Sequence, residues 1–505
     1  MTKLRNSISL TLFALFCAWP LVVHAQRANA GKKPNVIIIL ADDFGYGSTN
    51  AYGADLKLVR TPNLDRLAKE GRRFTDANTT SSVCSPTRYA LMTGRYAWRT
   101  SLKFGVLPWT APLHIESSPG KSRPNLATLF KKHGYQTAAI GKWHLGYGDG
   151  KPDYTADLKP GPLQLGFDYH LGLPVNHGDV TGVFVENQRV LGLRSAKTIA
   201  IERPNYYGAN SKFLGLDAPQ REDEEVMETL TDKSIGWIEK RDKAKPFFLY
   251  FTPVAVHEPV TPSKRTAGSS AAGVYGDWIH ELDRGVGRLL DALDGQGVTN
   301  ETLVLFTSDN GGVINRGTAR LAAHTGKAQD AGLKINGALR MGKHSVYQGG
   351  FQVPYLVRWP GKVAAGSTSD EPLSLVDTFA TLSALLGEKL PAKEQAAEDS
   401  YNMLPAWLGE KPGKKTKAPL RPHLIVHSAD GTFAIREGQW KWIEGREAGA
   451  KSVGGRAVRA DEMKPQLYDL RADRAESNDV IEQQTAVVKR LSALLNQIRQ
   501  QGFSR

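Results

Sequence analysis

The 505-residue chain is 41% hydrophobic and 23% charged, with a formal net charge of +14 and two cysteines. This composition excludes a disordered, collagen-like or disulfide-scaffolded protein, and the length suits two to four domains of about 100–200 residues. The positive charge is spread along the chain rather than concentrated in one run, and no nucleic-acid module is present, so it fits an anionic substrate, or simply a basic surface, better than nucleic acid.

The first 25 residues have the layout of a secretory signal peptide. Lys3 and Arg5 precede the apolar run "LTLFALFCAWPLVV", and Ala25 supplies a small residue for cleavage. The run is short and interrupted by Pro20, which argues against a membrane anchor. Cys17 lacks the small residue before it that lipoprotein processing needs, and no later stretch is long and apolar enough to span a bilayer. An exported periplasmic or secreted protein without stable membrane insertion is expected. Loss of residues 1–25 leaves a charge of +12 and one cysteine, Cys84, so no internal disulfide forms and the lone thiol must be buried, modified or used.

Beyond the signal segment, "NVIIIL" (35–40), "QTAAI" (136–140), "FFLYF" (247–251) and "LVLFT" (303–307) read as buried strands of a parallel sheet. Helical patterns alternate with them: "TPNLDRLAKEG" (61–71), with Thr61 as a cap and Pro62 in the first turn, "NLATLFKKHG" (125–134), and residues 274–297. The fold class expected is therefore α/β, with a mostly parallel central sheet flanked by helices. From about residue 370 the texture changes. "DEPLSLVDTFATLSALLG" reads as a closing helix and "EKPGKKTKAPLRP" (410–422) as a basic surface connection. Residues 433–444 and 466–473 alternate like antiparallel strands, and Val487, Val488, Leu491, Leu494, Leu495 and Ile498 follow helical spacing. The expected organisation is a main α/β domain over 26–385 and a smaller α+β domain with an antiparallel sheet over 386–505.

Each expected strand is followed by polar groups: Asp42 and Asp43, Lys142 and His144, His257, and Asp309 with Asn310. In open α/β sheets the site lies beyond the carboxyl ends of the strands, and four strands delivering such groups to one edge mark it here. Asp42, Asp43, Asp309 and Asn310 form an all-oxygen set suited to calcium or magnesium, with no closely spaced His or Cys cluster for zinc. Cys84 falls where "SSVCSPTRYALMTGR" turns from loop into helix, with Pro86 in the first turn and Arg88 on the same face. There the amide groups and helix dipole favour a thiolate or other anion. With Lys142, His144, His257 and Lys343, the set suits hydrolysis of a sulfate or phosphate ester, whose transferred group carries charge that must be neutralised.

"CSPTRYALMTGR" resembles the C-x-P-x-R signature of the type I sulfatases. Supporting segments occur in order across most of the chain: "NVIIILADDFGYG", "RTPNLDRLAKEG", "AAIGKWHLG", "GFDYHLG", "FFLYFTPVAVHEP", "LVLFTSDNGG", "GKHSVYQGGFQVPYLVRWPG" and "LYDLRADRAESNDV". The resemblance implies an alkaline-phosphatase-like fold and oxidation of Cys84 by a maturation enzyme to formylglycine, whose hydrate is the nucleophile. It implies calcium held by Asp42, Asp43, Asp309, Asn310 and an oxygen of residue 84. It also implies sulfate binding by Lys142 and Lys343, positioning of the hydrate by Arg88, protonation of the leaving alcohol by His257, and deprotonation of the hydrate by His144. A sulfated carbohydrate is the expected substrate. The alternatives are a formylglycine-dependent phosphonate monoester or phosphodiester hydrolase and a non-catalytic binder of anionic glycans. His344 and Gln348 depart from the glycine and glutamate common in the family at those positions. His170 and His177 either reach the substrate or serve as structural histidines.

Overall fold

Residues Asn35–Ala41 form the central strand, β1, and every one of its seven side chains is buried. Successive side chains of a strand point to opposite faces. Val36, Ile38 and Leu40 enter one apolar core and Ile37, Ile39 and Ala41 the other, which is why the strand reads as an unbroken hydrophobic run. The computed structural model describes residues 33–117, 122–204, 210–314, 323–410, 419–446 and 464–505. The expected signal segment and most of the expected connection at 410–422 lie outside the described residues.

The remaining strands of this sheet are β2 (Arg72–Phe74), β3 (Gln136–Lys142), β4 (Tyr169–Leu173), β5 (Val185–Glu186), β6 (Arg189–Val190), β7 (Phe247–Thr252), β8 (Thr302–Ser308), β9 (Tyr355–Arg358) and β10 (Ser367–Ser369). Their spatial order is β10-β2-β9-β8-β1-β7-β3-β4-β5-β6. Parallel pairing joins β8, β1, β7, β3 and β4, and antiparallel pairing adds β9 at one side and β5 at the other. The four strands expected from sequence are thus contiguous members of the parallel core. The strands β4 and β9 were not expected, because a five-residue run containing His170 and Gly172 and a four-residue run carry little periodic signal.

Helices cover both faces. The first core receives α2 (Cys84–Thr93) and α3 (Leu126–Lys132), and the second receives α1 (Pro62–Glu70), α4 (Val226–Lys240) and α5 (Val274–Gly295). Asn125 starts α3 with a reciprocal capping box to Thr128. At α1 the expected cap differs. Thr61 holds the N-cap position, but its hydroxyl bonds with Thr49 and Asn50, and the Asp283 carboxylate of α5 accepts the Asn63 and Leu64 amides instead. The closing helix begins only at Thr378, because Leu373–Ser374 pairs with Ala77–Asn78 as a short strand.

The C-terminal sheet is antiparallel, in the order β11 (Leu424–His427), β12 (Phe433–Glu437), β13 (Trp440–Ile443) and β14 (Gln466–Asp469). Its apolar face packs on Leu491, Leu495 and Ile498 of α6 (Thr485–Gln501) and on Ala90, Tyr96 and Trp98. All ten residues of α2 are consequently buried, between this core and that of the central sheet. Among the described residues no helix is long and apolar enough to cross a membrane.

Candidate active site

Parallel strands deliver their carboxyl ends to one edge, and the register fixes which ends are neighbours. Ala41 lies opposite Ser308, so Asp42 and Asp309 leave adjacent strands side by side. Thr252 lies opposite Gly141, which puts Lys142 beside the loop that carries His257. A Cβ on Gly141 would sit 2.0 Å from the Thr252 carbonyl oxygen, and its φ of +120° suits glycine alone. At Gly311 a Cβ would meet the Gly349 carbonyl at 1.8 Å. That close approach holds the Lys343 loop against Asn310.

Three cations meet three carboxylates in this buried edge. Lys142 Nζ lies 2.7 Å from Asp42 and donates toward Cys84 Sγ at 3.3 Å. Arg88 donates through Nε to Asp309 at 2.9 Å, brings Nη2 within 2.7 Å of the same oxygen, and bonds the Lys142 carbonyl through Nη1. Lys343 Nζ is 2.7 Å from Asp43, and Asn310 Nδ2 donates to the other Asp43 oxygen at 2.7 Å. His257 Nε2 stands 3.7 Å from Asp43. Asp43, His144 and His344 all hold positive φ, of 59°, 56° and 76°, a conformation that non-glycine residues keep only where surrounding structure enforces it.

Charge states follow from this arrangement. Burial opposes the Lys142 charge, but Asp42 and the residue at 84 hold it protonated above its usual range. Burial likewise opposes Arg88, and Asp309 and Asp42 outweigh it. Asp43 stays below the ordinary carboxylate range although burial pushes it up, because Lys343 and His257 face it. Burial and the neighbouring Asp42 raise Asp309. The Cys84 thiol departs from the expectation of a helix-start thiolate. Burial and the Asp309 charge push it up to about 12 despite the lysines, so an unmodified Cys84 is a neutral thiol and a poor nucleophile at neutral pH.

The two histidines are both driven well below their usual range, His144 by burial and Lys142, His257 by burial and Lys343. His144 Nε2 donates to the Leu107 carbonyl at 2.9 Å, while Nδ1 is buried without a hydrogen-bond partner. The ring is therefore a neutral imidazole whose Nδ1 is left as the acceptor nitrogen. His257 Nδ1 bonds the Glu258 carbonyl, leaving Nε2 toward Asp43.

The oxygen donors fit a hard cation. Asp42, Asp43, Asp309 and Asn310 are all buried, and Asn310 Oδ1 accepts no hydrogen bond while its amide nitrogen donates to Asp43 and Gly311. A buried acceptor left unsatisfied is costly unless a donor or cation serves it. Ligand-type atoms of Asp42, Asp43, Cys84 and His257 also lie within 4.8 Å of one another.

Other residues singled out by sequence lie outside this group. His170 is saturated, with Nε2 on the Tyr147 hydroxyl at 2.9 Å and Nδ1 on the Ala139 carbonyl at 3.0 Å, a structural histidine that burial takes down to about 4. His177 packs on Trp278 and bonds Thr261, and the Trp278 indole donates to the His257 carbonyl. Gln348 bonds Asn78 and Gln352 through its side chain, and its amide donates to Glu476.

Glu476 and the Leu107 carbonyl are the contributors that sequence reasoning missed. A backbone acceptor leaves no residue-type signal, and Glu476 sits in a loop far along the chain. Its carboxylate takes Lys441 Nζ at 2.6 Å and the Gln348 amide, and its carbonyl takes Arg340. Lys441 also donates to the Val346 carbonyl at 3.0 Å. Both partners are buried, with side-chain exposures of 2% and 0%, so this pair clamps the loop carrying Lys343. Replacing Glu476 with alanine leaves Lys441 buried and unpaired, at a cost of about 3–5 kcal/mol. Thermal unfolding and kcat/KM are both expected to fall, and an unchanged Tm would show the clamp to be dispensable.

The sulfatase family model matches residues 34–388. An N-acetylgalactosamine-6-O-sulfatase of Bacteroides thetaiotaomicron is 35% identical, with 94% of this chain and 95% of that protein covered. A solved structure from the same organism, from work on its metabolism of multiple glycosaminoglycans, superposes with a TM-score of 0.82 at 34% identity, over 93% of this chain and 99% of the other. The phosphonate monoester hydrolase of Agrobacterium radiobacter shares the fold, with a TM-score of 0.59 at 19% identity over 93% and 96% of the two chains.

Proposed function

The chain belongs to the sulfatase family and is a sulfuric ester hydrolase, and from that premise we propose that it removes a sulfate ester from a sulfated carbohydrate through a formylglycine at position 84. The observation that carries the reading is the state of Cys84. It is buried where four strand ends meet, 3.3 Å from Lys142 Nζ and 3.6 Å from Asp42 Oδ1, with Arg88 on the same carboxylates, and burial among those carboxylates disfavours its thiolate. Oxidation to an aldehyde removes that obstacle. Formylglycine at residue 84 supplies, as its hydrate, one hydroxyl to attack sulfur and a second whose deprotonation releases sulfate. Cys84, Pro86 and Arg88 are all buried, so the maturation enzyme reads the motif before the chain folds. Export by the N-terminal segment places the enzyme in the periplasm or outside the cell.

Lys142 and Lys343 bind the sulfate oxygens, each lying one hydrogen bond from the carboxylate that now neutralises it. Arg88 orients residue 84 from the same helix face. His144 Nδ1 accepts a proton from the hydrate, because its Nε2 is committed to Leu107. His257 Nε2 gives a proton to the leaving alcohol. In the free protein Lys343 opposes its protonation, and the negative sulfate group between them reverses that balance. His177, packed on the Trp278 that holds the His257 carbonyl, keeps His257 in place. In sum, a sulfate ester and water become an alcohol and inorganic sulfate.

Asp42, Asp43, Asp309 and Asn310, with an oxygen on residue 84, would hold calcium, which would supply positive charge to the reacting sulfate group. Calcium at about 100 times its Kd is expected to stabilise the protein by about 2.7 kcal/mol. A chelator should lower both Tm and kcat. Insensitivity of Tm to calcium and chelator would contradict the oxygen set as a resident cation site.

The assay that tests the function is release of inorganic sulfate from 6-O-sulfated N-acetylgalactosamine by protein made alongside a maturation enzyme. Turnover is expected. Efficient cleavage of a phosphonate monoester or phosphate diester, with sulfate esters inert, would contradict the reading.

A further inference from the structure

Eight large hydrophobic side chains are exposed among the described residues, and three of them, Phe104, Val106 and Trp109, fall within six consecutive positions. Their exposures are 56%, 44% and 36%. Apolar groups scattered singly on a surface need no explanation, but a cluster beside a polar site does.

This ridge is fastened to the catalytic edge at several points. The Leu107 amide donates to the hydroxyl of Ser85, next to Cys84, at 3.1 Å, and the Leu107 carbonyl accepts from His144 at 2.9 Å. On its other side the Gly105 amide donates to the Ala429 carbonyl, and the Ala429 amide donates to the carbonyl of His344, next to Lys343. The Tyr154 hydroxyl donates to the Trp109 carbonyl at 2.7 Å, and the two rings lie 5.7 Å apart. Phe104 and Trp109 are three and two residues from Leu107, at most about 10 and 7 Å of chain. The ridge therefore borders the site between the histidine that accepts the hydrate proton and the loop that carries Lys343. Its backbone is held there in one place, and the Trp109 ring packs on Tyr154.

We propose that Phe104, Val106 and Trp109 form an apolar platform for the sugar ring next to the sulfated one, so that the enzyme favours sulfated oligosaccharides over the sulfated monosaccharide. A pyranose presents a face of C–H groups with slight positive charge, which suits the negative face of an aromatic ring. The only charged residue of "KFGVLPW" is Lys103, so nothing in the ridge repels an anionic glycan. The inference rests on the carbohydrate-sulfatase reading.

The test compares kcat/KM for sulfate release from 6-O-sulfated N-acetylgalactosamine with that from a disaccharide containing the same sulfated unit. Calcium-loaded protein carrying the matured residue 84 is used. The wild-type enzyme is expected to prefer the disaccharide. In the double variant Phe104→Ala, Trp109→Ala the disaccharide-to-monosaccharide ratio should fall about tenfold, the size of one or two ring contacts. The variant Phe104→Tyr, Trp109→Tyr should retain it. Should the double alanine variant fail to fold, Phe104→Ala alone should lower the ratio about threefold. An unchanged ratio in a folded alanine variant would overturn the platform. Release of sulfate from neither sugar by the wild-type protein, with other sulfated sugars also inert, would instead overturn the carbohydrate reading, and the platform with it.

Discussion

Cys84→Ala protein is expected to hydrolyse sulfate esters more slowly than the matured wild type by a factor on the order of 10⁵ to 10⁶, comparable to loss of a covalent nucleophile in other hydrolases. The side chain is small and its contacts are a 3.3 Å approach from Lys142 and a 3.6 Å approach to Asp42, so Tm measured in chelator, where no calcium ligand is lost, should change little. Separation of the two readouts is the point of the experiment. An alanine variant with activity within tenfold of wild type would remove residue 84 from the chemistry. A large loss of Tm would instead assign it to packing.

Arg88→Ala should be strongly damaging to stability and activity together. The guanidinium is fully buried, holds Asp309 with two nitrogens, approaches Asp42 at 3.6 Å and ties down the Lys142 carbonyl. Removing one partner of a buried ion pair leaves its carboxylates uncompensated, which costs about 3–5 kcal/mol. Calcium would neutralise part of that charge, so the loss of Tm should be larger in chelator than in calcium. Arg88→Lys keeps a charge but not the fork that reaches Asp309 and the Lys142 carbonyl together. It should therefore recover part of the stability and little of the activity. Equal Tm for Arg88→Ala and wild type in chelator would contradict the buried network.

The two kinds of information in the sequence had different reach. The strands β1, β3, β7 and β8 were legible because helices cover both faces of the sheet, so nearly every side chain had to be apolar. Their polar successors marked the site edge for the same reason. What stayed hidden depends on partners distant in sequence. The α1 cap passes from Thr61 to Asp283 because the Thr61 hydroxyl is used by Thr49 and Asn50. The Cys84 thiol is governed by burial and the carboxylates of two other strands, not by its own helix. His170 sits among motif residues but is consumed by Tyr147 and Ala139. The brace from Glu476 spans 128 positions to Gln348; the segment "LYDLRADRAESNDV" that contains it was legible, but nothing local names its partner.

The central claim is that residue 84 acts as formylglycine, and mass spectrometry of the tryptic peptide from Phe74 to Arg88 tests it most directly. Protein produced with a competent maturation enzyme should yield the mass of the aldehyde or its hydrate at residue 84. A peptide carrying only an intact thiol, from protein that still releases sulfate, would contradict the account. The same thiol in protein that binds sulfated glycans without cleaving them would make the chain an anionic-glycan binder.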